Sequence, residues 1–390
     1  MPKSETAVIR PADLLRDLIR CPSVTPEQAG VFDVLEAALT PLGFDCTRVT
    51  FDGDGSYEVA NLFATRHRPG PHLLFAGHTD VVPPGNEAAW THPPFAAETD
   101  NDQIWGRGAV DMKSGIAAFV AAVSQAVADG SAEKGTISLA ITNDEEADAV
   151  NGTGKLLAWA AAAGHRFDFA LVGEPSSAQN VGDGIKIGRR GSLNGRITVS
   201  GIQGHVAYPE RARNPLPALA RLATALNAEP LDDGSEHFQP SNFELTSIDV
   251  GNPTSNVIPA SGSFRFNIRF NDHWTPESLT RWLEARIEAA PLEGCGAELE
   301  ILGRPSTCFL SPVGAEVMAL SDVIAAVAGQ VPVLSTGGGT SDARFIAEYC
   351  PVVECGLVGT TMHQVDERVP LADLDRLARI YHGFVTRFFA

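Results

Sequence analysis

At 390 residues the chain is too long for one ordinary domain, and with 44% hydrophobic residues it can bury two cores. A formal net charge of -19 repels phosphate and argues against nucleic acid as a partner. No long uncharged apolar stretch offers a membrane span, and Met1-Pro2-Lys3-Ser4-Glu5-Thr6 lacks the apolar core of a secretory signal. The expectation is a cytoplasmic protein with a small-molecule ligand. Six cysteines without a C-x-x-C pair read as free thiols in a reducing compartment.

Helical spacing of apolar residues covers 10–20 and 27–42, each run broken by Pro or Gly. Residues 57–65 and 72–76 read as strands. The second runs into Gly77-His78-Thr79-Asp80, followed by the turn Val81-Val82-Pro83-Pro84-Gly85. A histidine at a strand mouth with an aspartate two residues on can be a metal ligand with its orienting carboxylate, because period-2 geometry points both the same way. Alone, the pair is also ordinary surface chemistry. Next comes Gly106-Arg107-Gly108-Ala109-Val110-Asp111-Met112-Lys113-Ser114-Gly115, leading into an Ala-rich helix over 115–128. It lacks the G-x-x-x-x-G-K-[ST] and G-x-G-x-x-G patterns of phosphate loops, which leaves Asp111 as a carboxylate ligand at the helix start.

The strand 136–142 ends in Asn143-Asp144-Glu145-Glu146, and the strand 169–173 ends in Glu174-Pro175. Carboxylates at strand ends suit a site in an open α/β sheet, although a lone D-E-E is more often an acidic turn. Between them lies a helix over 153–163. After Gly188-Arg189-Arg190-Gly191-Ser192 the pattern becomes strand 196–200, helix 215–227, strands 243–250 and 263–270, helix 276–289 and strand 297–302. That βαββαβ order is the split ferredoxin-like unit. The α/β pattern resumes with a helix over 315–329, a strand at 331–334, the loop Gly337-Gly338-Gly339-Thr340-Ser341-Asp342, a strand at 352–357, the segment Thr360-Thr361-Met362-His363-Gln364 and a closing helix from 372. The reading is an α/β catalytic domain with a mixed sheet (1–190 and 304–390) interrupted by an inserted ferredoxin-like α+β domain (191–303).

The set His78-x-Asp80, Asp111, Glu145-Glu146, Glu174 and His363, in this order and at these strand ends, resembles the M20 family of dinuclear zinc amidohydrolases and peptidases. The resemblance covers nearly the whole chain. It implies one Zn²⁺ held by His78 and Glu174, a second held by Glu146 and His363, and Asp111 bridging them, with Co²⁺ an option at one position. Asp80 would orient His78, Glu145 would be the general base, and the Asp111–Met112 peptide would be cis. The inserted domain would dimerise the protein, with His205 reaching the neighbouring subunit's site as an oxyanion donor.

The chemistry agrees with the resemblance. Nitrogen and oxygen donors suit zinc, and three ligand carboxylates offset most of the charge of two divalent ions. Amide hydrolysis at neutral pH needs an activated water, a base and an oxyanion donor. A carboxylate-rich substrate on an acidic protein needs local cations. Arg189 and Arg269 are the candidates, because guanidinium grips carboxylate bidentately. Ser192, Tyr208, Asn256, Gly339 and Thr340 are the implied hydrogen-bond partners. Arg190, Arg265 and Ser341 read equally well as structural. Of ten histidines three receive roles; His67, His165, His237, His273 and His382 read as surface or half-buried, and His72 and His92 have no assigned part. The rivals are a different acyl-amino-acid hydrolase of the same family, and a metal-free relative kept as a binding protein, which would lack a ligand or the base.

Overall fold

Proline and glycine set the ends of the first two helices among the described residues. Pro11 opens Pro11–Ile19 at a position where its missing N–H costs nothing. Gly30, left-handed at φ 82°, precedes Val31–Leu39, and Thr40-Pro41 ends that helix in a single 3₁₀ turn. The computed structural model describes residues 8–390 and divides into two compact units. One comprises Met1–Ile187, Ser311–Ser335 and Ser341–Ala390; the other comprises Gly188–Leu310 and Thr336–Thr340.

The first unit is built on an eight-stranded mixed sheet. Its strands lie in the order Asp45–Gly53, Ser56–Arg66, Thr136–Thr142, His72–His78, Phe169–Val172, Val352–Glu354, Gly184–Lys186, Val333–Ser335. The central strands His72–His78, Thr136–Thr142 and Phe169–Val172 are wholly buried, as strands covered on both faces must be. The long helices Lys113–Asp129 and Leu371–Phe388 pack together. Phe75 of the sheet stacks on Phe119 at 4.1 Å, and Tyr381 donates its hydroxyl to the Cys355 carbonyl.

The second unit is an antiparallel sheet in the order Asn242–Asp249, Ser261–Phe270, Gly191–Ser200, Gly296–Ser306. Helices Leu216–Leu226 and Pro276–Glu288 complete the βαββαβ order that the sequence predicts. Strand alternation is clear in Ser261–Phe270: Phe264, Phe266, Ile268 and Phe270 are buried, while Ser263, Arg265, Asn267 and Arg269 take the opposite face. Phe243, Leu219, Leu222, Leu279 and Leu283 close that core.

Several elements depart from the sequence expectation. The strand Asp45–Gly53 was not expected; it is an edge strand with no buried residue, so it carries no apolar alternation. The second expected helix shortens to Val31–Leu39 because Gly30 and Pro41 bound it. The expected strand 352–357 pairs only over Val352–Glu354. All six cysteines are unpaired. Among the described residues no helix is long and apolar enough to cross a membrane.

Candidate metal centre

Four strands of the first unit, His72–His78, Thr136–Thr142, Phe169–Val172 and Val352–Glu354, run parallel to one another. Their carboxyl ends therefore share one edge, the place where open α/β sheets collect ligands. His78 ends the first strand, residues 143–146 follow the second, Glu174 follows the third and Glu354 ends the fourth. Asp111 arrives from the loop before helix Lys113–Asp129, and its peptide to Met112 is cis. The helix start presses against the third strand end: a Cβ on Gly115 would stand 2.4 Å from the Gly173 carbonyl oxygen. Only glycine allows that approach, which brings the Asp111 loop up to Glu174.

The side chains converge. His78 Nε2 lies 3.1 Å from Asp111 Oδ1, 3.4 Å from Glu174 Oε1 and 4.0 Å from Glu145 Oε2. His363 Nε2 lies 3.3 Å from Asp111 Oδ2 and 3.0 Å from Glu146 Oε1. Asp111 thus turns one oxygen to each histidine. The ligand atoms form two groups, His78–Asp111–Glu146 and His78–Glu145–Glu174, each within 4.8 Å.

Asp80 meets the His78 ring through its backbone carbonyl and, at longer range, through its carboxylate. The Nδ1 of His78 is 2.9 Å from the Asp80 backbone carbonyl, whereas the Asp80 carboxylate stands 3.6 Å away. That carboxylate also gathers the adjacent turn. Its Oδ2 accepts from the Thr25 hydroxyl at 2.8 Å and from the amides of Glu145 and Glu146, both at 3.1 Å.

The cluster is short of positive charge. Burial pulls the His78 imidazole down, but Asp111, Glu174 and Glu145 outweigh it and hold the ring well above its ordinary value. Asp111 and Glu146 push His363 up to about 10. Burial and neighbouring Asp111 raise Glu174 to about 7. Burial, together with Glu174, Asp342 and Asp111, holds Glu145 well above the carboxylate range. Burial also lifts Asp80 to about 6. Burial raises Asp111, but the two histidines outweigh it and hold the carboxyl below the carboxylate range. Imidazoles drawn toward protonation, and Glu145 and Glu174 pushed toward neutrality, both call for cations in the same place.

A pair of divalent ions fits. Tetrahedral bonds of about 2.0–2.2 Å put neighbouring ligand atoms about 3.3–3.6 Å apart. The four close histidine–carboxylate separations, 3.1, 3.4, 3.3 and 3.0 Å, lie at or just below that edge length. The donor set of two imidazoles and several carboxylates is the chemistry that zinc-like ions accept.

All eight residues expected to contact substrate lie in the second unit. Arg189 Nη1 donates to Gly339 O at 3.2 Å, so the guanidinium is tied to the Gly337-Gly338-Gly339 loop. Arg269 pairs in register with Ser192 on one side and Asn242 on the other. Its Nη1 is buried without a hydrogen-bond partner, and burial and Arg190 lower its pKa. Arg190, which the sequence left as structural, donates to Asn242 Oδ1 at 3.0 Å. His205 and Asn256 meet where Gly204–His205 pairs with Val257–Ile258, and the Val206 amide donates to Asn256 O. Tyr208 is exposed, its ring 5.8 Å from His205.

Sequence reasoning passed over four residues around the metal cluster. Asp342 is buried and acts electrostatically on Glu145. Glu354, fully buried, accepts from Ser341 Oγ and acts on Glu174. A carboxylate inside the apolar run 352–357 was the available signal for it. Thr25 and Glu367 carried no comparable signal.

Comparison with known proteins agrees with this architecture. Residues 74–387 match the family described as Peptidase family M20/M25/M40. The chain is 56% identical over 378 residues, covering 97% of this chain and 98% of the relative, to a succinyl-diaminopimelate desuccinylase of Rhodopseudomonas palustris strain TIE-1. It is 53% identical over the full length of both chains to the protein of that name in strain BisB18. Among solved structures it resembles an M20 family metallo-carboxypeptidase of Sulfolobus solfataricus (TM-score 0.79, 16% identity, covering 97% of this chain and 99% of that one). It also resembles a dinuclear metal binding peptidase of the M20 family from Bacillus subtilis (TM-score 0.68, 16% identity, 97% of each chain).

Proposed function

The chain belongs to peptidase family M20/M25/M40, and from that premise we propose that it hydrolyses N-succinyl-LL-2,6-diaminopimelate to succinate and LL-2,6-diaminopimelate. The reaction serves diaminopimelate and lysine synthesis, in the cytoplasm. The substrate assignment rests on full-length likeness to the desuccinylases. The observation that carries the chemistry is Asp111, with one carboxylate oxygen toward each histidine.

In this reading His78 and Glu174 would hold one ion and Glu146 and His363 the other, with Asp111 offering one oxygen toward each. Two bound divalent ions, Zn²⁺ at both with Co²⁺ an option at one, would lower the pKa of a water to near neutrality and polarise the amide carbonyl. The chain's own groups do the rest. Glu145, poised by the Asp80 carboxylate through its backbone amide, takes the proton of the attacking water and hands it to the leaving amine nitrogen. Its burial favours the protonated intermediate state. The Ala207 amide donates to His205 Nδ1 at 3.0 Å, so the neutral ring carries its proton on Nε2, as an oxyanion donor must. By family likeness the protein is a homodimer and His205 serves the neighbouring subunit. Arg189 and Arg269 grip the substrate carboxylates, with Ser192, Tyr208, Asn256, Gly339 and Thr340 as hydrogen-bond partners. The unpartnered N–H of Arg269 supports such a grip, since a buried donor of this kind needs an acceptor.

The test is amide hydrolysis by zinc-loaded protein on N-succinyl-LL-diaminopimelate and on N-acetylornithine. A strong preference for the succinyl substrate is expected. Preference for the acetyl substrate would overturn the substrate assignment and leave the metal chemistry standing. Inactivity on both, with two ions bound, would move the enzyme to another acyl substrate.

A further inference from the structure

The two loops that supply Asp111 and His363 are joined by a buried ion pair that the proposed chemistry does not use. Arg107 and Glu367 stand 260 residues apart in sequence. Their side chains are 3% and 1% exposed, and Arg107 Nη1 meets Glu367 Oε2 at 2.6 Å. Each partner then reaches across to the other's loop. Glu367 Oε1 accepts the amide of Val110 at 2.8 Å and that of Asp111 at 3.2 Å. Arg107 donates through Nη1 to the Gln364 carbonyl at 3.2 Å and through Nη2 to the His363 carbonyl at 3.4 Å. The guanidinium also lies over the Trp90 ring at 5.2 Å, and the Gly106 amide donates to the Glu367 carbonyl.

Such a pair is a poor device for stability alone. Desolvating two charges is costly, and apolar replacements of similar size are often neutral or better. What the pair offers is registry, because every remaining hydrogen bond lands on the backbone of a residue at or beside a ligand. His363 needs such help: it is left-handed at φ 60° and 44% of its side chain is exposed, so packing alone does not hold its ring.

We propose that Arg107 and Glu367 are positioning residues that fix the Asp111 carboxylate against the His363 imidazole and so set the affinity of the metal position that His363 shares with Glu146. The proposal rests on the dinuclear reading given above. It predicts an asymmetric defect. His78 is held by its own strand end and by the Asp80 carbonyl, and Glu174 by the neighbouring strand end, so their position depends less on the bracket.

The experiment titrates metal-free protein with Zn²⁺ in competition with a chromophoric chelator, with thermal melting followed by circular dichroism. Arg107→Lys keeps the charge but cannot reach Glu367 and both carbonyls together. Glu367→Gln keeps an acceptor for the two amides but loses the charge. His363→Ala identifies which binding step belongs to His363. The expected result, in whichever variants fold, is at least a tenfold loss in that step with the other step within about twofold of wild type. Equal weakening of both steps, or no weakening, would overturn the bracket. Both variants failing to fold would also overturn it, since the pair would then be serving stability. A wild-type protein that binds fewer than two ions would instead overturn the dinuclear reading itself.

Discussion

Asp80 shows how one carboxylate organises a site through the backbone. Its Oδ2 collects the Thr25 hydroxyl and two amides of the Glu145–Glu146 turn, while the carbonyl of the same residue orients His78. Thr25→Val should cost about 2 kcal/mol, the worth of a hydrogen bond to a charged acceptor. Urea unfolding would measure this, and Thr25→Ser should recover most of it. Glu145→Gln should lower kcat by about 10²–10⁴-fold, the range for a lost general base, with the metal content by elemental analysis unchanged. The expected ligands were legible because each stands in a distinct motif: His78, Glu146 and Glu174 at or just after strand ends, Asp111 before a helix and His363 in a polar turn. Glu367 was not, because nothing in Gln364-Val365-Asp366-Glu367 distinguishes it from an acidic turn. Its role exists only once the fold brings Arg107 to it.

Among the elements, the start of helix Lys113–Asp129 sits hard against a strand end of the first unit. Gly115→Ala would drive a methyl into the Gly173 carbonyl. Overpacking of this kind costs about 1–3 kcal/mol and pushes the Asp111 loop off the strand end. The denaturation midpoint should fall and zinc affinity with it; a midpoint lowered with affinity intact would separate packing from the site. His72, at the start of the central strand, responds to pH. Burial first, then His165, lowers its pKa to about 4, while the unfolded ring titrates near 6.5. The unfolded state therefore binds more protons between these values. The stability contributed is full above about pH 6.5 and is lost as pH falls toward 4, by at most about 1.4 kcal/mol per pH unit. The advantage of wild type over His72→Gln in urea unfolding should shrink across that window; a constant difference would contradict it. Buried strands and capped helices could be read from apolar runs and prolines. The edge strand Asp45–Gly53 could not, since it buries nothing that would leave a pattern.

At the scale of the molecule, the sequence separates two jobs between two units. The seven expected metal and acid–base groups all fall in the first, and the eight expected substrate contacts in the second. The βαββαβ order made the second unit visible, because its period-2 strands and amphipathic helices are long and regular. The assignment of Thr336–Thr340 to that unit was not legible, since a loop's packing partner leaves no periodic trace. The formal charge of -19 speaks to partners and solubility, and leaves the local cation requirement to a few arginines.

In the proposed centre Asp111 joins two metal positions, one at each histidine. Anomalous scattering at the zinc edge from crystals of the zinc-loaded protein tests it directly. The expected result is two peaks per chain, one beside His78 and Glu174 and the other beside His363 and Glu146, each in contact with one oxygen of Asp111. A single peak, or two peaks of which only one touches Asp111, would contradict that bridging role.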